Sequence, residues 1–207
     1  MPTLYDIKPR FQALLRPLVR RLAGAGVTAN QITLLAAAMS VLVGAGVAWR
    51  PDTVLLWLLI PATLFVRMAL NAIDGMLARE HAMKSPLGAM LNEIGDVVAD
   101  AALYLPFALL PSLSPALVVG IVILAGVSEM TGVVAVQIGA SRRYDGPLGK
   151  SDRALLFGLL ALLAGLGVTL QTWGNVVLGV ALVLLILTIL NRGRQALAEV
   201  RAARAHG

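Results

Sequence analysis

The sequence predicts an all-α integral membrane protein with six transmembrane helices, preceded by an N-terminal amphipathic helix at the membrane interface. Of its 207 residues, 58% are hydrophobic and only 14% are charged. Soluble domains carry about 25% charged and about 45–50% apolar residues, so a water-soluble core would not bury this much apolar surface. The chain has no cysteine, which excludes disulfides, thiolate nucleophiles and cysteine-based metal sites.

Residues 1–27 form a predicted amphipathic segment. Hydrophobic residues recur there at helical spacing with basic residues between them, a pattern typical of a helix on an anionic membrane surface. Pro9 and Pro17 are expected to kink or divide this helix. A plain anchor without a catalytic role is the simplest interpretation. The apolar positions are Leu4, Ile7, Phe11, Leu14, Leu18 and Leu22.

Six apolar stretches follow, and they predict a six-helix bundle over residues 28–191 with a cytoplasmic tail at 192–207. Each is near the ~20 residues needed to cross ~30 Å of hydrocarbon. The first is long enough to span, so no cleaved signal peptide is expected. We expect the whole chain to form one membrane domain. The stretches are 32–49, 54–78, 87–110, 116–140, 154–170 and 176–190.

The basic residues predict the orientation of these helices. All of the 17 lysines and arginines except Arg50 and Arg67 lie on one side of the predicted bundle. They lie before the first spanning helix, in the turn between the second and third (the 2–3 turn), in the loop between the fourth and fifth (the 4–5 loop) or in the tail. The positive-inside rule makes that side cytoplasmic, so both termini are predicted to be cytoplasmic. This distribution accounts for the net charge of +6 without nucleic acid as a partner.

The second and third predicted helices carry polar residues that the membrane makes costly. An ionisable side chain inside a spanning helix costs roughly 2.5–3.5 kcal/mol on insertion scales. Helical spacing gives each helix one polar stripe, and the short turn between them predicts that the stripes face each other across a cytoplasmic cleft. The stripes are Arg67, Asn71, Asp74 and Ala78, and Gly88, Asn92, Asp96 and Asp100, with Glu93 beside Asp96.

Two interpretations of these stripes stay open. Oxygen ligands from two helices, without His or Cys, suit a hard cation such as Mg²⁺ or Mn²⁺. Alternatively the charges pair with one another, for example Arg67 with Glu93 or Asp100, and hold the bundle together. Gly75 and Gly88 favour a ligand site at Asp74 and Asp96, because they remove side chains where a bulky diphosphate would approach the backbone.

Residues 71–96 follow the pattern Asn71-x2-Asp74-Gly75-x2-Ala78-Arg79-x8-Gly88-x3-Asn92-x3-Asp96. This pattern resembles the signature of the CDP-alcohol phosphotransferase (CDP-alcohol phosphatidyltransferase) family, which has aspartate at all four acidic positions. The segment TANQIT at 28–33 also looks like the family's usual sequence before the first helix. Segments 67–75 and 146–153 are similar to a bacterial subgroup of that family. The resemblance covers essentially the whole chain.

The resemblance implies an enzyme of the bacterial inner membrane, commonly a homodimer, that transfers a substituted phosphate from a CDP-alcohol to a second alcohol and releases CMP. In bacteria the donor is typically CDP-diacylglycerol and the product a phospholipid. By position, Asp96 matches the general base and Asp74 a metal ligand. The CDP-binding face matches Asn71, Asp74, Gly75, Ala78, Arg79 and Gly88.

The chain departs from the family pattern at Asn71 and Asn92. An amide oxygen can coordinate a metal but brings no charge, so the acidic positions fall from four formal charges to two. Glu93 and Asp100 are candidate substitute ligands, and one metal or a shifted ligand set is open. The alternative function is a catalytically weakened or non-enzymatic CDP-lipid-binding protein. A transporter is disfavoured, because its midplane site would need broken helices.

The 4–5 loop predicts the chemistry of the acceptor. Gly146 and Gly149 would let this loop fold close to the cleft, and the fifth helix begins near Lys150, where free N–H groups favour anions. Membrane topology alone also accounts for basic residues here. We predict that the acceptor alcohol carries a phosphate, bound by Arg142, Arg143, Lys150 and Arg153.

Overall fold

A computed structural model of the chain describes residues 4–205 and the side chains of residues 10–204. Leu4 and Ile7 of the predicted amphipathic face lie outside the described side chains. The described chain is all-helical and contains no strand, as predicted. Its elements are α1 (Leu4–Gly24), α2 (Ala29–Trp49), α3 (Val54–Trp57), α4 (Leu59–Glu80), α5 (Pro86–Tyr104), a 3-10 helix (Leu105–Leu109), α6 (Pro115–Gln137), α7 (Lys150–Gly165) and α8 (Gln171–Ala205).

Within the described residues, four stretches are long and apolar enough to cross a bilayer. The helices α3 and α4 count as one of them, because only Leu58 separates them. α5 carries three carboxylates and α7 has 16 residues, so composition and length identify these two less clearly. The six-span arrangement therefore stays a prediction. The four stretches are Ala29–Trp49, Val54–Glu80, Pro115–Gln137 and Gln171–Arg204.

Two helices extend beyond their predicted bounds on the side of the 4–5 loop, which is the segment between α6 and α7 in the structure. α7 begins at Lys150, because the Asp152 carboxylate accepts a hydrogen bond from the Gly149 N–H at 2.8 Å and caps the helix. α8 continues to Ala205, so most of the predicted tail at 192–207 belongs to that helix. The extension brings Arg192 and Glu199 back against the rest of the protein, as described below.

Side-chain caps fix where α2 and α5 begin. The Thr28 hydroxyl accepts from the Gln31 N–H at 3.3 Å, while the Gln31 side chain accepts from the Thr28 N–H at 2.9 Å. In α5 the Ser85 hydroxyl accepts from the Gly88 N–H at 2.9 Å, and Pro86 occupies the first turn. Both caps lie beside the cleft and set the register of its lining residues.

The largest apolar core extends from Leu148, in the segment between α6 and α7, to a group of aromatic rings farther along the bundle. Trp57 and Phe107 meet edge to face at 4.9 Å, and Tyr104 stacks on Phe157 at 4.1 Å between ring centroids. These four rings are fully buried or nearly so. They join α3, the 3-10 helix and α7, and they leave the opposite end of the bundle free for polar groups.

α1 is docked on the bundle, and it runs without a break through Pro9 and Pro17. Val19 is fully buried in a second apolar cluster with residues of α2 and α4, including Ile73 and Leu77. Arg16 also forms an ion pair with Glu80 at the end of α4, with an N–O distance of 2.9 Å. Leu14 and Leu18 stay exposed, which is compatible with the predicted contact to the membrane interface.

The predicted topology can be tested with reporter fusions. A fusion at residue 112 should report the periplasm, and fusions at residues 145 and 207 should report the cytoplasm, because the basic residues favour the cytoplasmic side. The measurement is the ratio of alkaline phosphatase to fluorescent-protein activity. A cytoplasmic signal at residue 112 would overturn the orientation.

Candidate functional site

Two polar cavities meet between α4 and α5. The first has a volume of about 460 Å³, and we call it the motif cavity because all six residues predicted to bind CDP line it. The second, the loop cavity, has a volume of about 550 Å³ and lies under the segment between α6 and α7. Asn71, Asn92 and Glu93 line both. The predicted motif positions are therefore brought together, and the two cavities are adjacent.

Asp74 is the carboxylate of the motif cavity. Its side chain is largely buried, and its Oδ2 accepts a hydrogen bond from the Thr33 hydroxyl at 2.8 Å. Among the described residues, no lysine or arginine lies within ion-pair distance of it. A buried carboxylate that is held by neutral donors retains open lone pairs, so Asp74 is placed to bind a cation. The sequence pattern alone did not indicate the contact with Thr33.

The glycines of the motif sit against polar groups of the same cavity. A Cβ added at Gly88 would lie 2.7 Å from Oδ1 of Asn30, and one added at Gly75 would lie 3.1 Å from the Arg79 guanidinium. Side chains at these positions would therefore displace Asn30 or Arg79 from the cavity wall. Asn30 is a second lining residue that the sequence analysis did not assign.

Asp96 lies at the edge of the loop cavity and has three donors. Its Oδ1 accepts from Arg67 Nη2 at 3.0 Å and from Asn71 Nδ2 at 3.4 Å. Its Oδ2 forms an ion pair with Lys150 Nζ. Both oxygens of Asp96 are thus occupied by side chains of α4 and α7.

Asp100 and Glu93 are also paired with arginines. Arg67 Nη1 donates to Asp100 Oδ1 at 2.5 Å, and Arg153 Nη2 lies 3.6 Å from Asp100 Oδ2. Arg142 Nη2 donates to Glu93 at 2.6 Å. The structural alternative for Arg67, pairing with Asp100, agrees with these contacts. Glu93 pairs with Arg142 rather than with Arg67. The contacts favour structural roles for Glu93 and Asp100.

Glu129 of α6 joins the remaining cations. Arg153 Nη2 donates to it at 2.9 Å, and Arg142 and Arg192 lie at 3.5 Å. Arg192 also donates to the Ser128 carbonyl at 2.6 Å. The sequence analysis placed Arg192 in a solvated tail, and only the continuation of α8 reveals its buried position.

These ion pairs form one connected group, which we call the charge cluster. It contains four carboxylates and five cations, and adding the nearby Asp74 makes the formal charges balance. Burying one of these charges alone would be costly, so the pairs hold α4, α5, α6, α7 and α8 in one arrangement. The members are Glu93, Asp96, Asp100, Glu129, Arg67, Arg142, Lys150, Arg153 and Arg192.

The segment between α6 and α7 is fixed over the cleft by its own contacts. Arg143 donates to both oxygens of Asp145, at 2.7 and 2.9 Å, and to Glu199 at 2.8 Å. The hydrogen bonds from Arg143 lower the pKa of Asp145 below its ordinary value. Gly146 has φ +128°, and an added Cβ would lie 2.8 Å from Thr188 Cα, so glycine is required there for the close approach to α8.

Two of the four residues predicted to bind an acceptor phosphate line the loop cavity, and two do not. Lys150 and Arg142 line it, whereas Arg143 is engaged by Asp145 and Glu199. Arg153 has no exposed surface and is paired with Glu129 and Asp100. The prediction that Arg153 is a main phosphate ligand therefore needs correction, because its guanidinium points into the bundle rather than into the cavity.

Asp74, Asn71 and Asn92 are the residues of the motif cavity that could hold a divalent cation. In the part of the chain that the structure describes, no group of three or more His, Cys, Asp or Glu side chains is close enough to hold a metal ion. Asp74 shares the motif cavity with the amide groups of Asn71 and Asn92. Carboxylate and amide oxygens are suitable ligands for Mg²⁺ or Mn²⁺, which also take oxygens from water and phosphate.

Replacing Arg153 with Met should destabilise the protein, since Glu129 and Asp100 would lose a buried partner. The expected cost is about 3–5 kcal/mol, or a fall of roughly 6–20 °C in thermal midpoint. Arg192 remains near Glu129 and should keep the loss at the low end. The measurement is thermal unfolding of the protein in detergent, with the exposed Arg194→Met as control. A variant with wild-type stability and only a raised acceptor KM would indicate that Arg153 binds the acceptor phosphate.

Three similarities place the chain among known proteins. A sequence model of the CDP-alcohol phosphatidyltransferase family matches residues 26–196. Inner membrane protein YnbA of Escherichia coli (strain K12) is 48% identical over 195 residues, which are 94% of this chain and 96% of that protein. The crystal structure of phosphatidylinositol phosphate synthase (PgsA1) from Mycobacterium tuberculosis, with CDP-DAG bound, superposes with a TM-score of 0.67 at 18% identity.

The superposition covers 89% of this chain and 92% of the mycobacterial protein, so the two share the fold along nearly their whole length. The family match spans both cavities and every motif position. It also agrees with the apolar helices, which make this a membrane protein. Sequence, fold and site geometry converge, and the chain belongs to the CDP-alcohol phosphatidyltransferase family.

Proposed function

We propose that this enzyme transfers a phosphatidyl group from CDP-diacylglycerol to an acceptor alcohol that carries a phosphate, with release of CMP. The observation that carries the proposal is the motif cavity, because its lining gathers the six CDP-binding positions at one end of the bundle. The mycobacterial structure with the same fold has CDP-DAG bound, which supports a CDP-lipid as donor. Orientation in the bacterial inner membrane, with both termini cytoplasmic, would let CMP leave into the cytoplasm while the lipid stays in the bilayer.

The chemistry follows from the arrangement of the two cavities. Asp96 would accept the proton of the acceptor hydroxyl, whose oxygen forms a bond to the lipid-linked phosphorus of the donor. The bond between that phosphorus and the bridging oxygen breaks, and CMP leaves with that oxygen. Asp74, with the amides of Asn71 and Asn92, would hold Mg²⁺ or Mn²⁺. A bound cation supplies positive charge to the phosphate oxygens.

The loop cavity supports a phosphorylated acceptor. Nε and Nη1 of Arg142 are buried and have no hydrogen-bond partner among the described residues. Arg142 also lines this cavity together with Lys150 and Arg192. Lys150 and Arg192 are paired with Asp96 and Glu129 of the same lining. The unpaired donors of Arg142 are therefore the feature that supports a phosphate group, which accepts several charge-assisted hydrogen bonds.

One observation favours a second candidate function. Both oxygens of Asp96 are occupied by cations or an amide, and two motif carboxylates are replaced by Asn71 and Asn92. A catalytically weakened protein that binds CDP-lipids would have these features. The discriminating measurement is CMP release from CDP-diacylglycerol, with Mg²⁺ or Mn²⁺ and a panel of phosphorylated and uncharged acceptors. Binding of the donor without CMP release from any acceptor would favour this second candidate.

Asp74→Asn and Asp96→Asn should each reduce CMP release by at least 100-fold, because each removes a charge from a site that already has two fewer carboxylates than the family pattern. Both variants should stay folded in the membrane. The measurement is CMP release by purified protein, with thermal unfolding as the check on folding. Near wild-type release by either variant would refute the assignment of that residue.

Arg142→Ala should raise the KM for the phosphorylated acceptor by about 10–100-fold, the loss expected for one charge-assisted contact. The KM for CDP-diacylglycerol should change little, because Arg142 does not line the motif cavity. Steady-state kinetics with each substrate varied in turn give both values, and Arg194→Ala is the matched control. An effect on the donor alone, or preference for an uncharged alcohol, would contradict the proposal.

A further inference from the structure

The charges around Asp96 do not leave room for a second divalent cation. The charge cluster together with Asp74 is formally balanced. Arg79 and Lys84 add two further cations to the lining of the motif cavity, so this part of the protein is rich in positive charge before any metal binds. A second divalent cation would need further carboxylates, which Asn71 and Asn92 do not supply.

Lys150 already supplies a positive charge to Asp96, the carboxylate that a second cation would need. Its ammonium group pairs with Oδ2 of Asp96, while Oδ1 is held by Arg67 Nη2 at 3.0 Å. Lys150 is the first residue of α7, and the Gly149–Asp152 cap fixes the start of that helix. The cap therefore fixes the backbone of Lys150 beside the loop cavity, which Lys150 lines.

Asn71 takes part in the same arrangement. It lines both cavities, and its Nδ2 donates a hydrogen bond to Asp96 Oδ1 at 3.4 Å. An aspartate at this position has no proton to donate and would repel Asp96 at that distance. The asparagine and the lysine are thus a matched pair: one removes a negative charge beside Asp96, and the other supplies a positive one.

We infer that the ammonium group of Lys150 replaces a second divalent cation at Asp96, so that the protein binds one divalent cation, at Asp74. The inference rests on the proposed function only in taking the motif cavity as the donor site. Lys150 acts as a positioning residue, because it fixes and neutralises Asp96.

The test is the number of Mn²⁺ ions bound by the full-length protein in lipid nanodiscs, from equilibrium dialysis and electron paramagnetic resonance. The wild type should bind one Mn²⁺ per chain, and Asp74→Asn should lose it. Two ions or none in the wild type would overturn the inference. This count does not require turnover, so it separates the two proposals. One bound Mn²⁺ without CMP release would contradict only the proposed function. Two bound Mn²⁺ ions with CMP release would contradict only the inference.

Variants distinguish a specific role of Lys150 from a general effect of positive charge near the site. Asn71→Asp/Asn92→Asp/Lys150→Met should bind a second Mn²⁺, at least 10-fold more tightly than the double variant that keeps Lys150. The matched control replaces Lys84, which lines the motif cavity, with Met in the double variant, and it should show no such gain. The first Mn²⁺ reports folding in each variant. Equal second-site affinity with and without Lys150 would contradict the inference.

Discussion

Burying ionised side chains inside a membrane bundle is the constraint on which the rest of this structure depends. Each carboxylate of α5 and α6 in the charge cluster is matched by a cation from another element. Removing one partner would leave an uncompensated charge, so the pairs fix how the helices meet. The same pairs bring the start of α7 and the Arg192 turn of α8 over the cleft. Stability and the shape of the site therefore have one physical origin.

Asp74 differs from the other carboxylates, since in the described part of the chain it is held by the neutral Thr33 rather than by a cation. The site is thereby divided into a motif cavity that can accept a cation, and a loop cavity whose cations are paired with carboxylates of the protein. In the proposed transfer reaction, the nucleotide lipid and the phosphorylated alcohol would approach from these two sides. The family's fold is retained, while two motif carboxylates are replaced by Asn71 and Asn92.

Much of this arrangement could be predicted from the sequence. The polar stripes of α4 and α5, and the residues of the motif cavity, follow from helical spacing and the family pattern. Spacing does not reveal which distant helix supplies the partner of a charge, so the roles of Arg153 and Arg142 were not predictable. Arg192 was missed because the hydrophobic stretch ends before α8 does. Span number is ambiguous for α5, since the carboxylates that build the site also lower its hydropathy.

The central claim is that cationic side chains of the protein replace a second divalent cation at Asp96. Anomalous diffraction from crystals of the full-length protein grown with Mn²⁺ and CDP-diacylglycerol tests it most directly. The account predicts one manganese peak, beside Asp74, with the Lys150 ammonium still paired with Asp96. Two manganese peaks bridged by Asp96, with Lys150 displaced from it, would contradict the account.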